Sequence, residues 1–251
     1  AYVAIQRGCN KNCAFCVVPN TRGPEVSRAP AEIEREVRLK VRLGAREVLL
    51  LGQTVNSYGR DLSPRLPFHQ LIERLATVEG LERIRFISPH PAEVRPEFIE
   101  LYGSFPQLMP HIHLPLQSGS DRILKLMNRN YRLARYLEII DQLKSRVPHI
   151  EISTDFIVGF PTESDEDFAA SLAAIRAVQY NSVYSFIYSI RPNTEAARNF
   201  SESALVPGAV AQERLQQLQM IQEEISLRIN SSKIGTTVPV LVEGKSRNIS
   251  S

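Results

Sequence analysis

Six short β-rich runs alternate with amphipathic helical patterns along this 251-residue chain, and that alternation constrains the fold more than any other feature. The runs cover 2–8, 47–53, 83–88, 111–117, 151–159 and 182–189. Between the first two, Pro30 suits a first helical position, Ile33, Val37 and Val41 recur on one face, and Gly44 stops the pattern. Leu133, Leu137, Ile140 and Val147 mark a second helix. A third starts at Ser164, a good N-cap, with Asp165, Glu166 and Asp167 near the positive end of the helix dipole. Strand–helix repetition at this spacing predicts a parallel sheet with right-handed crossovers. The expected class is α/β, a partial (β/α)6 TIM-like barrel two units short of a closed eight-stranded one.

After Pro207 a long Gln- and Glu-rich helix turns Leu215, Leu218, Ile221, Ile225 and Ile229 to one side, and 236–243 reads as a further strand. The expected division is a core over 1–231 and the start of a second, truncated domain over 232–251. The chain opens Ala-Tyr-Val-Ala-Ile with no initiator methionine, which reads as a piece of a longer protein. Hydrophobic residues make up 43%, enough for a sizeable core. No run approaches the ~18 apolar residues of a membrane span, and no signal peptide opens the chain. No membrane association is expected, and the expected location is cytoplasmic, or organellar if a transit peptide has been removed.

In such barrels active sites gather at the C-terminal ends of the strands. Those ends here read Gly8-Cys9, Gly52-Gln53, Ser88-Pro89-His90, Gln117-Ser118-Gly119, Gly159-Phe160-Pro161 and Ser189-Ile190-Arg191, polar and flexible throughout. The chain's three cysteines, Cys9, Cys13 and Cys16, all fall in the first of these loops as CxxxCxxC. An odd number packed this tightly is a reduced, intracellular pattern and not a disulfide framework. Thiolates suit iron–sulfur clusters or zinc. A cubane cluster usually takes four cysteines, so three would leave one iron open to a chelating small molecule. A structural zinc would need a fourth ligand such as His90 or His113, and the spacing departs from the usual paired CxxC form.

The net charge is only +3, and ten basic against five acidic residues in positions 1–60 give that part +5. A basic bias beside a site suits a phosphate-bearing substrate. Glu34/Arg38 and Glu36/Lys40, at i,i+4, read more simply as solvated helix pairs. No Ser/His/Asp nucleophilic set and no phosphate-binding glycine loop stands out.

CxxxCxxC after a first strand, with Phe15 before the last cysteine, resembles the radical S-adenosylmethionine (SAM) superfamily. The longer text Gly8-Cys9-Asn10-Lys11-Asn12-Cys13-Ala14-Phe15-Cys16-Val17-Val18-Pro19-Asn20-Thr21-Arg22-Gly23 is similar to its methylthiotransferases, especially the MiaB type acting on tRNA. So are Leu50-Leu51-Gly52-Gln53-Thr54-Val55-Asn56-Ser57-Tyr58, His113-Leu114-Pro115-Leu116-Gln117-Ser118-Gly119-Ser120 and Ser153-Thr154-Asp155-Phe156-Ile157-Val158-Gly159-Phe160-Pro161. The resemblance implies a 4Fe-4S cluster on Cys9, Cys13 and Cys16 whose open iron takes the amino and carboxylate groups of SAM. It implies methylthiolation at C2 of N6-isopentenyladenosine next to the anticodon of tRNA, with an electron donor such as flavodoxin or ferredoxin as partner. Another tRNA base or a ribosomal-protein aspartate is the alternative substrate. A metal-stabilised RNA-binding module without catalysis is the alternative of another class.

Family members carry a second 4Fe-4S cluster in an N-terminal domain, and this text does not contain it, so SAM cleavage without sulfur insertion is expected of the chain alone. Val242-Glu243-Gly244 resembles the start of the family's RNA-binding TRAM domain.

Phe15 is a candidate to shield the cluster and flank the adenine, with simple packing as the alternative. Gln53 and Asn56 are candidates for the amino group of SAM, and Gln117 and Ser118 for its ribose or methionyl part. Asp155 shares a strand face with Ser153 and Ile157 and needs a partner, either SAM hydroxyls or a nearby arginine, with a structural ion pair as the equal alternative. Phe160 belongs to the loop near the adenine. His90, Arg22, Arg28 and Arg191 are candidates for the RNA. His111 and His113 share a face and are read as packing and hydrogen bonding. Where the family usually has glycine, the chain has Thr162 and Asn193. Asn tolerates a left-handed backbone, whereas Thr162 implies either an ordinary angle or strain.

Overall fold

A computed structural model describes residues 1–242 and Gly244. The chain order is β1 (Tyr2–Ala4), β2 (Gln6–Arg7), α1 (Val18–Arg22), β3 (Val26–Ser27), α2 (Pro30–Arg42), β4 (Glu47–Leu51), α3 (Phe68–Ala76), β5 (Arg83–Phe86) and α4 (Pro96–Glu100). It continues β6 (His111–His113), α5 (Asp121–Leu126), α6 (Leu133–Arg146), β7 (Glu151–Val158), α7 (Asp165–Val178), β8 (Ser182–Ile187), α8 (Glu195–Asn199) and α9 (Gly208–Ser231).

Six strands are parallel and keep their chain order, β1-β4-β5 and then β6-β7-β8. A bridge between Ile84 and Leu108 joins the halves, with the Ile84 amide donating to Gln107 O at 2.7 Å and the Met109 amide to Ile84 O at 3.2 Å. Among the described residues no ladder joins β1 to β8, so the barrel is partial, as the strand–helix alternation implies.

Each strand is shorter than its sequence run. The fourth run, 111–117, pairs regularly only over β6, because Pro115 has no N–H to donate and Leu116 donates instead to Thr154 Oγ1 at 2.9 Å. Pairing resumes at Gln117 opposite Phe156, with Gln117 left-handed at φ 75°. The first run breaks after Ala4, and β2 turns away to pair antiparallel with β3, which closes the base of the cysteine loop. Two-residue strands leave no periodic trace in a sequence.

The helices bury the stripes their sequences define. Ile33 and Val37 of α2 are buried against the sheet, as are Tyr136, Ile139, Ile140 and Leu143 of α6. Ser164 caps α7 in a reciprocal box with Asp167. Glu36 pairs with Lys40 at 3.3 Å, but Glu34 reaches Arg74 on α3 at 3.4 Å and not Arg38, so one expected helix pair becomes an interhelical one. α9 docks through Arg214, whose guanidinium meets Glu163 at 2.8 Å and Asp165 at 2.7 Å.

The strand expected over 236–243 does not form over 236–242, and Glu243 lies outside the described residues. Val238, Val240 and Val242 are 60%, 73% and 81% exposed, and among the described residues this alternating segment pairs with no strand.

Thr162 resolves towards strain. It is left-handed at φ 67°, as is Asn193 at φ 64°. Its amide donates to Ala204 O at 2.8 Å, and its hydroxyl takes a bond from Arg122 at 3.2 Å, which hold it there. Relief of ~1–3 kcal/mol of strain, less up to ~1 kcal/mol for the freedom glycine gives the unfolded chain, makes Thr162→Gly stabilising by about 1 kcal/mol. Thermal unfolding should then rise by about 2–4 °C.

Candidate active site

The loop 9–16 has no regular structure of its own and is fixed by bonds to its surroundings. The Cys9 amide donates to Gly23 O at 3.1 Å. Ala14 is held on both sides, donating to Met127 O at 2.9 Å and accepting from the Ala196 amide at 2.7 Å. Asn128 Nδ2 donates to Asn12 O at 2.7 Å, and Asn10 Oδ1 takes the Glu25 amide at 3.1 Å. The carbonyl of one helix end and the amide of another thus clamp the loop at the top of the barrel.

All three thiols are free and line one cavity of about 320 Å³. Its wall also holds Gln53, Thr54, Ser88, His90 and Gln117 from the segments that follow β4, β5 and β6, Lys11 and Phe15 from the cysteine loop itself, and Arg129 from the turn after α5. Cys9 Sγ lies 3.4 Å from Thr54 Oγ1 and takes the Lys11 amide at 3.4 Å. Cys13 Sγ accepts from Arg129 Nη1 at 3.2 Å. Burial raises the Cys16 pKa, the Val18 amide opposing it and the two neighbouring sulfurs adding to it. A bound cationic core would offset that burial and mutual repulsion and hold the sulfurs as thiolates.

Gln53 Oε1 is buried without a hydrogen-bond partner. A bare acceptor beside three thiols is a place where a ligand donor is missing. Each cysteine of a cubane binds its own iron, so its sulfurs stand wider apart than ligands around one ion. Among the described residues no group of three His, Cys, Asp or Glu side chains is placed to hold a single metal ion. Of the histidines proposed for a zinc, His90 Nδ1 already accepts from the Ala92 amide at 3.2 Å, and His113 is occupied between Ser153 at 3.0 Å and Asp155 at 3.3 Å. The donor set, the cavity and the orphaned acceptor fit a cluster with SAM beside it.

Seven of the expected residues meet here: the three cysteines, Phe15, Gln53, His90 and Gln117. Phe15 also packs against the small core of Ala14, Ile123, Met127, Phe160 and Ala196, so both readings of it hold. The others lie elsewhere. Asn56 spends both amide ends on the His90 backbone, donating at 3.0 Å and accepting at 2.8 Å, and so shapes the 89–91 loop. Ser118 is buried 3.4 Å from Ser171. Asp155 finds a histidine where an arginine or SAM was expected, and Ser153, His113 and Asp155 form a serine–histidine–aspartate contact that the sequence spacing did not reveal. Phe160 is buried against Tyr188 and Phe200. Arg28 is committed to Ala4 O at 2.6 Å and Glu36 at 2.7 Å, the structural alternative. Arg22 and Arg191 are exposed on one rim, where Asn20 Nδ2 donates to Asn193 O at 3.0 Å.

Arg129, Thr54 and Lys11 were not anticipated. Arg129 follows a short helix in a polar stretch without periodicity, and nothing in the text sets it apart. Lys11 is bound to Glu93, which Arg60 also grips.

Burial, with Arg129 and Lys11 nearby, pushes the His90 pKa down from 6.5 to about 2. The unfolded chain takes that proton below about pH 6.5 and the folded one does not, so His90 favours folding least at low pH. This contribution is complete above pH ~6.5 and falls by about 1.4 kcal/mol per unit below it. Urea unfolding of metal-free protein at pH 7.5 and 5 should show wild type losing about 2 kcal/mol more than His90→Asn, which keeps an acceptor for Ala92. Parallel profiles would contradict it.

At the strand ends around this cavity, Ser88 and Gln117 are left-handed at φ 58° and 75°. Strain of this kind concentrates at functional sites. A partial parallel barrel carrying a thiol tripod at its strand ends defines a class of cluster-binding barrel enzymes. The family model described as the radical SAM superfamily matches residues 3–175. The chain belongs to that superfamily.

Two curated relatives are both named "tRNA-2-methylthio-N(6)-dimethylallyladenosine synthase". The one from Mycobacterium bovis (strain ATCC BAA-935 / AF2122/97) is 48% identical over 248 residues, covering 96% of this chain and 48% of the relative. The one from Nitratidesulfovibrio vulgaris (strain DP4) is 46% identical over 251 residues, covering 98% and 54%. The chain thus spans about half the length of these relatives. Among solved structures, coproporphyrinogen III oxidase from Escherichia coli superposes with a TM-score of 0.65 at 18% identity, covering 89% of this chain and 52% of that one. The radical SAM methyltransferase TsrM from Kitasatospora setae gives 0.66 at 15% identity, covering 81% and 39%. Both likenesses concern the fold alone.

Proposed function

We propose that the chain is the catalytic core of a tRNA methylthiotransferase acting at C2 of N6-isopentenyladenosine next to the anticodon. The observation that carries the chemistry is the convergence of Cys9, Cys13 and Cys16 on a cavity that also holds the unpartnered Gln53 Oε1. The substrate rests on the 48% identity to relatives named for that reaction. Cys9, Cys13 and Cys16 would hold the cluster, which would supply the one-electron chemistry for reductive cleavage of SAM. The chain's own residues bind, orient and exclude water. Gln53 Oε1 accepts from the SAM ammonium, Gln117 contacts the ribose or methionyl part, and Phe15 covers the thiols on the side of the small core. His90, neutral and locked by Ala92, offers its remaining ring edge to the substrate. Arg22 and Arg191 on the rim meet RNA phosphates.

Residues 1–231 are assigned to the core, and 232–251 to the start of an RNA-binding domain. A one-electron donor of the flavodoxin or ferredoxin type and a cytoplasmic setting fit this reading. Among the described residues no helix is long and apolar enough to cross a membrane.

After anaerobic reconstitution and dithionite reduction, the chain should release 5′-deoxyadenosine from SAM. An anticodon stem-loop bearing isopentenyladenosine should speed that release relative to the same RNA with adenosine. Equal rates would refute the substrate. A chain that binds zinc and ignores SAM would instead be a metal-stabilised RNA-binding module.

A further inference from the structure

Arg129 is the most unusual charge in the molecule. It is 8% exposed, and among the described residues it forms no ion pair with a carboxylate. Its donors are spread over three acceptors of different kinds. Nη1 donates to Cys13 Sγ at 3.2 Å, Nη2 to Pro115 O at 3.2 Å and Nε to Tyr131 Oη at 3.0 Å. Its guanidinium lies 5.3 Å from the Tyr131 ring centroid. Tyr131 is itself held, its hydroxyl 3.1 Å from Pro115 O and 2.9 Å from Leu116 O. The guanidinium therefore cannot swing away from the thiol without breaking bonds to a fixed backbone.

An arginine does not lose its proton in a protein, so this is a permanent positive charge taken out of water. Such a charge needs an anion. His90, on the same wall, is neutral, and Lys11 is already neutralised by Glu93. No carboxylate side chain lines this cavity, so the chain's own group that can answer Arg129 as an anion is the Cys13 sulfur, together with what that sulfur binds.

We propose, resting on the cluster reading above, that Arg129 is a positioning residue that sets the reduction potential of the cluster through Cys13. An oxidised cubane held by three thiolates carries one net negative charge, and a single electron makes it two, with no bond formed or broken. A fixed cation hydrogen-bonded to one of the ligand sulfurs favours the more negative state. Low dielectric around a buried pair strengthens the effect. Arg129 makes the electron easier to accept, and it delivers this at one corner of the cluster, the iron bound by Cys13.

The test is a dithionite titration with redox mediators, followed by electron paramagnetic resonance, on reconstituted wild type, Arg129→Met and Arg129→Lys. Arg129→Met should disfavour reduction at least tenfold, which is ~59 mV for one electron. Arg129→Lys, which keeps the charge, should shift by less than half as much. Should Arg129→Met alone lose its iron while Arg129→Lys keeps it at the wild-type potential, the need for charge is upheld. A wild-type midpoint in an iron-loaded Arg129→Met protein would overturn the proposal. So would equal shifts, or equal loss of iron, in the two variants, because Arg129 would then serve only to brace Pro115 and Tyr131. Failure of wild type itself to bind about four irons per chain would count against the cluster reading instead.

Discussion

Replacing Cys13 with alanine should abolish cluster retention and SAM cleavage while leaving the metal-free fold nearly intact. The three thiols are the only sulfur ligands the cavity contains, and each secures a different iron in a cubane. Two thiolates do not hold such a core against loss. Iron should drop from about four per reconstituted chain to a small fraction of that. Release of 5′-deoxyadenosine should drop by at least ~10³, equivalent to about 4 kcal/mol in the barrier. Cys13 is only partly buried, so the iron-free protein should still fold, but with a lowered unfolding temperature because buried Arg129 loses its sulfur partner. Paired iron analysis and product chromatography check both halves of this expectation. Full iron and full turnover in Cys13→Ala would mean that the tripod is not the ligand set.

Gly8→Ala should have the second largest effect, this time on the fold that shapes the loop. Gly8 is left-handed at φ 77°, and a Cβ there would sit 1.9 Å from Pro24 O and 2.5 Å from Pro24 C. Those are backbone atoms of the strand-to-loop junction that pairs Arg7 with Val26, so no side chain can yield. The left-handed backbone alone costs ~1–2 kcal/mol for a residue with a Cβ. Parting β2 from β3 to relieve the collision also breaks the Cys9 amide bond to Gly23 O. A total loss of about 3 kcal/mol or more is expected, a large share of the ~5–15 kcal/mol typical of a domain. Iron uptake should fall with it.

Gly23, also left-handed at φ 71°, is the control. A Cβ there would meet nothing within 4 Å, so Gly23→Ala should cost only the backbone term, ~1–3 kcal/mol at φ 71° and ψ −166°, and keep the cluster. Urea unfolding and iron content of both variants decide the matter, and equal costs would contradict the steric account.

Much of this was legible because it rests on repetition or on rare chemistry. The six strands and their order follow from hydrophobic runs that alternate with 3.6-residue stripes, a signal summed over many residues. The cysteine loop is legible because thiols in that spacing have few structural uses. What escaped depends on single long-range contacts. Asn56 looked like a ligand contact from its place after β4, yet its two amide ends close on the His90 backbone across 34 residues. Arg28 was a candidate for the RNA, yet its charge is taken by Glu36.

Arg129 meets Cys13 across 116 positions, and no local pattern encodes such a meeting. The β2–β3 pair is too short for periodicity, and the halt of β6 turns on one proline. Thr162 is instructive in another way. Its side chain left an ordinary angle or strain open, and its bonds to Ala204 O and from Arg122 impose the strained left-handed angle. Local preference lost to tertiary demand.

The central claim is that three thiolates at the barrel mouth leave one iron open to SAM. Low-temperature electron paramagnetic resonance of the reduced, reconstituted chain, recorded with and without SAM, addresses it directly. The account predicts a reduced-cluster signal whose g values shift when SAM is added, because the amino and carboxylate groups reach the open iron. A signal that SAM leaves unchanged, from protein loaded with about four irons per chain, would contradict it.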